Sequence, residues 1–101
     1  MKRVFISQPM NGKSEEDILK CREKAIESVK QQFDEDVSII DSYFEDFNPK
    51  EGSIPLKYLS KSLELLADAD VAYFAKGWEY ARGCCIEHIC AVQYGIDVIE
   101  E

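Results

Sequence analysis

The chain of 101 residues, 46% hydrophobic and 32% charged, has room for one small domain with a modest core and none for a second. Twelve basic against twenty acidic side chains leave a net charge of −8, which repels polyanions and excludes unspecific binding of nucleic-acid polymers as an expectation. The start MKRVFIS lacks the long apolar region of a signal peptide, and no apolar run approaches the roughly 20 residues that cross a bilayer, so a cytoplasmic protein with no membrane partner is expected.

A first strand is expected over residues 3–6, followed by the loop SQPMNG. Ser14 then caps a helix whose first turn holds Glu15, Glu16 and Asp17, acids that suit the positive end of the helix dipole. That helix runs to about Phe33, with Ile18, Ala25, Ile26, Val29 and Phe33 at helical spacing and charged residues mainly elsewhere, so it covers a sheet with one side. The β-branched run VSIID, residues 37–41, reads as a second strand and completes a right-handed βαβ unit.

Residues 41–53, which mix Tyr43, Phe44 and Phe47 with acids, Asn48-Pro49 and a glycine, read as a mobile loop or lid. Ser53 caps a second helix with Pro55 in its first turn, and Leu56, Leu59, Leu63 and Leu66 form its apolar stripe to about Ala67. A third strand is expected over residues 71–75 and a last helix from near Arg82 to Tyr94, stopped by Gly95. IDVIE supplies a fourth strand.

Four strands alternating with three helices predict an α/β fold: a flavodoxin-like, Rossmann-like three-layer sandwich with a parallel sheet of order 2-1-3-4. The topological switch point then falls between strands one and three, and ligands bind outside the carboxyl ends of strands at such points. SQPMNG and GWEYARGC would share one cleft there, although they lie far apart in sequence.

The stretch GWEYARGCCIEH carries the chemistry-bearing side chains. Glu87 lies one helical turn after Gly83, with Cys84, Ala91 and Tyr94 near its azimuth. The helix dipole favours its ionised form, as a nucleophile requires, whereas apolar burial raises its pKa and suits a general acid; the bland alternative is a salt bridge to Arg82. Ser7, Gln8, Met10 and Asn11 offer a hydroxyl, amides and backbone N–H groups for a ribose hydroxyl or phosphate, or they form an ordinary turn around Pro9 and Gly12. Gly77 and Gly83 floor the space. Trp78 and Tyr80 can stack on a nucleobase or close a core edge or subunit interface, and Arg82 is the candidate anion contact.

His88 sits about 100° around the helix from Glu87 and reads as structural. Cys84 and His88 stand at i, i+4, but one short helix does not converge enough ligands for zinc, so no metal and no cofactor are expected. Cys21, Cys84, Cys85 and Cys90 form no C-x-x-C pair and read as reduced packing thiols. Asp68 and Asp70 end a helix and solvate a turn. The last helix is apolar nearly all round and is expected to be buried on both sides, one of them by another subunit in a homodimer or larger homo-oligomer.

The order of an apolar strand, a small-residue turn, Gly-x-x-x-Glu and a helix, with the opening VFISQPMNG, resembles the nucleoside 2-deoxyribosyltransferases and their relatives the 2′-deoxynucleoside 5′-phosphate N-hydrolases. The likeness runs through nearly the whole chain and is greatest to the short, functionally uncharacterised branch of that superfamily. It implies a small-molecule nucleoside or nucleotide as partner, subunits that complete one another's sites, and Glu87 as the nucleophile that attacks the anomeric carbon and expels the base. Two family acids are replaced: the one eight positions before Asp70 by Ser62, and the one six before Glu87 by Ala81. Two functions are therefore carried forward, glycosyl transfer or hydrolysis through Glu87, and a nucleotide-binding module without catalysis, beside a purely assembly role.

Overall fold

The structure, a computed structural model, describes residues 2–10, 12–33, 36–40 and 47–101. Strands β1 (Lys2–Ser7), β2 (Val37–Ile40), β3 (Val71–Phe74) and β4 (Asp97–Glu100) alternate with helices α1 (Glu15–Gln32), α2 (Ile54–Leu66) and α3 (Arg82–Gln93). A 3₁₀ turn, Trp78–Tyr80, leads into α3. The strands form one parallel sheet in the order β2-β1-β3-β4, the α/β arrangement that the alternating pattern requires.

Chain direction explains the layers. The first crossover moves one way across the sheet and the next two move the other, so crossovers of one hand set α1 on one face and α2 and α3 on the opposite face. The two cores divide accordingly. Val4, Ile6, Val71, Tyr73 and Ala75 pack with Ala25 and Val29 of α1, while Phe5, Ala72 and Phe74 pack with Leu66 of α2 and Ala91 of α3. Alternation along β1 therefore assigns Ser7, two residues after Phe5, to the α2–α3 face.

Helix ends follow their caps. The Ser14 hydroxyl accepts from the Asp17 N–H and the Ser53 hydroxyl from the Leu56 N–H. Phe33 leaves helical geometry one residue before the expected end yet still donates its N–H to Val29 O. Tyr94 likewise caps α3 rather than belonging to it, and Gly95 turns the chain at a φ of 76°, which a side chain would resist.

Two expectations change. Leu56 is 61% exposed although it belongs to the leucine stripe, because ten residues of helix rotate it about 80° from the buried Leu66. Asp70 holds more than a turn: its carboxylate accepts the Arg3 N–H at 2.8 Å while its own N–H donates to Arg3 O. Within one chain, Ile89 and Val92 of the last helix lie more than half exposed. Of the expected lid, residues 41–46 lie outside the described residues, and Phe47 beyond them is tied to α2, its carbonyl accepting the Tyr58 hydroxyl at 2.8 Å. No helix among the described residues is long and apolar enough to cross a membrane.

Candidate active site at the carboxyl ends of β1 and β3

β1 and β3 are neighbours in register, Ser7 opposite Phe74, and the Ala75 N–H extends the ladder to Ser7 O at 2.9 Å. Beyond them the chain departs to opposite faces of the sheet, toward α1 after β1 and toward α3 after β3. This is the switch point, and the two loops meet there. A Cβ on Gly77 would stand 3.6 Å from Pro9 Cγ, and Gly77 itself has a φ of 91°, a left-handed conformation for which glycine is the natural residue.

At this junction the Ser7 hydroxyl donates to Glu87 Oε1 at 2.6 Å, joining residues eighty positions apart. Both are buried, with Glu87 only 6% exposed. The bond follows from parity and pitch: Ser7 faces the α2–α3 layer, and α3 turns Cys84, Glu87 and Ala91 inward. Ser7 also adjoins the Cys84 side chain, and the Ser62 hydroxyl of α2 lies close enough to Glu87 to favour its ionised form. The serine at the replaced acid position thus reaches the same carboxylate. A salt bridge from Glu87 to Arg82 does not form: Arg82 is exposed and, five residues away, lies about 140° around the helix.

Burial decides the electrostatics of the site. Desolvation pushes the Glu87 carboxyl up to about 7, against the lowering effect of the Ser7 and Ser62 hydroxyls. Burial likewise pushes the Cys84 thiol up to about 11, so it stays protonated and unreactive at neutral pH.

This imposes a stability cost on the fold. The folded carboxyl titrates above its ordinary value near 4.5, so between about 4.5 and about 7 the folded chain holds a proton that the unfolded chain has released. The Glu87 contribution to stability falls as pH rises through that window and is level above it. The span amounts to about 3 kcal/mol. Urea unfolding of wild type and Glu87→Gln is expected to show equal stabilities near pH 4 and a more stable variant at pH 8; a constant difference across that range would contradict the burial of a titrating Glu87.

Gln8 faces the other way, its Nε2 donating to Ile18 O at 2.8 Å at the start of α1. Its buried Oε1 has no hydrogen-bond partner among the described residues. Met10 is half-buried in the same loop, and Asn11 lies outside the described residues. Gly83 sits in the first turn of α3, where a Cβ would meet Leu59 Cδ1 at 4.0 Å. The amino end of α3 carries no side-chain cap and no acid, in contrast to the three acids in the first turn of α1.

Trp78 does not present two free faces. One is stacked on the His88 ring, centroids 4.3 Å apart and planes 11° from parallel, and Phe74 packs on both rings. His88 Nε2 lies 2.6 Å from Glu100 Oε2, so the last strand anchors the stack. Neither Ser62 as a Glu87 partner nor Glu100 was expected. Tyr80 is 92% exposed. A shallow hollow of about 390 Å³, lined by Glu23, Ile26, Glu27, Lys30 and Gln31, lies along the later turns of α1 and contains none of these groups.

The geometry assembles a buried carboxylate, the serine hydroxyl that donates to it and an uncapped helix start around one strand junction. Comparison of the chain with family models, with curated proteins and with solved structures finds no match.

Proposed function

We propose that the protein cleaves or exchanges the N-glycosidic bond of a deoxynucleoside or its 5′-monophosphate, with Glu87 as nucleophile. The observation that carries this reading is the Ser7–Glu87 hydrogen bond at the switch point, because a hydroxyl donating to a buried carboxylate orients one oxygen and favours its ionised form. In the reaction an Oε–C1′ bond forms as the C1′–N bond breaks. The electron pair leaves with the base nitrogen, which is protonated from solvent. Water or a second base then displaces the carboxylate from the glycosyl ester.

The other groups divide the ligand between them. The loop after β1, with Met10 and Asn11, takes a sugar hydroxyl. A 5′-phosphate is better placed at the uncapped amino end of α3, at Gly83, than at α1, whose Glu15, Glu16 and Asp17 repel it. Gly77 and the edge of Trp78 shape the base side. The resemblance to nucleoside deoxyribosyltransferases supports the same assignment of Glu87.

The two roles open to Glu87 separate in a pH profile. A nucleophile gives turnover that rises with pH through about 7, the value to which burial pushes its carboxyl; a general acid gives turnover that falls through it. A falling limb would refute the nucleophile assignment. The second reading, a nucleotide-binding module without catalysis, is favoured by the near-complete burial of Glu87 and by Ser62 and Ala81 at two acid positions. It requires saturable thermal stabilisation by a nucleotide with no base released.

A further inference from the structure

The turn that carries Gly77 and Trp78 away from the switch point is poorly held by its own sequence. Trp78–Tyr80 is a single 3₁₀ turn, a geometry of weak hydrogen bonds, and no side chain caps it at Gly77 or caps α3 at Ala81. Its ties come instead from the far edge of the sheet. Just past β4 the Glu101 N–H donates to Phe74 O at 2.9 Å, and the Glu101 carboxylate accepts the Lys76 N–H at 2.7 Å, one residue before Gly77. Glu100 points to the opposite face by strand alternation, and its carboxylate lies 2.6 Å from His88 Nε2. A carboxylate only accepts, so the imidazole N–H is the donor. The ring fixed in this way is the one stacked on Trp78, one residue after Gly77.

Two consecutive acids thus bracket Gly77. Between these ties the chain is left-handed, at a φ of 91°, and Gly77 stands against Pro9, two residues beyond Ser7. The contact of the two loops therefore closes the junction at which Ser7 meets Glu87, and a shift of the turn would open it. A half-exposed glutamate on an edge strand adds little to the core, so its bond to His88 serves position more than stability.

We propose that Glu100 is a positioning residue of the cleft: through the His88 ring it holds Trp78, and together with Glu101 it keeps Gly77 against Pro9, closing the β3 side of the switch point over Ser7 and Glu87. The clamp itself is independent of the chemistry beneath it; that the clamped wall bears on a substrate rests on the glycosidic reading.

Site-resolved hydrogen exchange of the full chain tests it. In Glu100→Ala the amides of Trp78, Tyr80 and Ala81, which bond to Ala75, Gly77 and Trp78, are expected to exchange about 10-fold or more faster than in wild type, with those of β1 and β3 unchanged. Glu100→Gln, whose amide oxygen still accepts from the ring, restores the protection. His88→Phe keeps a ring on Trp78 but has no donor, so it matches Glu100→Ala, and combining the two brings no further acceleration. The sole tryptophan becomes more open to quenching by acrylamide in the same variants. In the base-release assay Glu100→Ala raises KM several-fold and leaves kcat nearly unchanged, because Ser7 and Glu87 stay in place. Wild-type exchange in Glu100→Ala, acceleration spread evenly over all amides, or additive effects of the two substitutions would overturn the clamp. A wild type without base release would refute the glycosidic reading alone, since the exchange test contains no ligand.

Discussion

Glu87→Gln is expected to lower base release by on the order of 10³-fold or more while leaving sheet and helices intact. The amide keeps the size of the side chain and still accepts the Ser7 hydroxyl, so the packing of α3 on β1 survives. It cannot form the glycosyl ester or carry the negative charge that faces an oxocarbenium-like transition state. Because the variant also escapes the cost of burying a charge, it should be inactive and more stable than wild type above pH 7. That combination separates loss of chemistry from loss of fold. Chromatographic assay of base release beside urea unfolding measures both; retained turnover would remove Glu87 from the mechanism.

Phe74→Ala is expected to cost about 3–5 kcal/mol, a large part of the stability of a domain of this size. Phe74 is fully buried at the end of β3 and packs on the α2–α3 side with Phe5, Ala72, Leu66 and Ala91. It also touches the rings of Trp78 and His88, so its loss leaves a cavity and frees the turn that enters α3. A fall in thermal midpoint of well over about 10 °C is expected, and a shift of only a few degrees would mean that this core does not close over β3 as described. Tyr73, its neighbour in the strand, faces α1, where its hydroxyl lies 3.1 Å from the Ser28 hydroxyl; Tyr73→Phe should be far milder because the ring remains.

The elements were legible because their periods differ. Ile18, Ala25 and Val29 repeat at helical spacing, the β-branched runs are short and bounded, and Ser14 and Ser53 cap the helices as residue type dictates. Leu56 misled because a spacing of three and four residues drifts around the helix, and only the depth of packing shows where the buried stripe ends. The meeting of Ser7 with Glu87 was half legible. Topology places both at one sheet edge, but Ser7 reads as a ligand donor until alternation from Phe5 is followed one step further, to the α3 side.

The electrostatic state of Glu87 was not legible at all. Helix dipole and burial oppose each other, and which one prevails depends on how much water Ser7, Ser62 and Cys84 displace around the carboxylate. Nor did spacing reveal the stack of Trp78, His88 and Glu100, since Glu100 comes from a four-residue edge strand whose register to β3 is set by three-dimensional pairing. For the same reason Ser62 drew notice only as a replacement for an acid, not as a neighbour of Glu87.

The central claim, that a carboxylate at this switch point breaks an N-glycosidic bond, is tested most directly by incubating the wild-type protein with deoxynucleosides, ribonucleosides and their 5′-monophosphates. Each is incubated with and without a second free base, and free or exchanged base is followed chromatographically. Release or exchange confined to deoxyribosyl substrates, rising with pH through about 7, is the predicted result. A folded protein that releases no base from any of them, yet is thermally stabilised by a nucleotide, would contradict catalysis and leave the cleft a binding site.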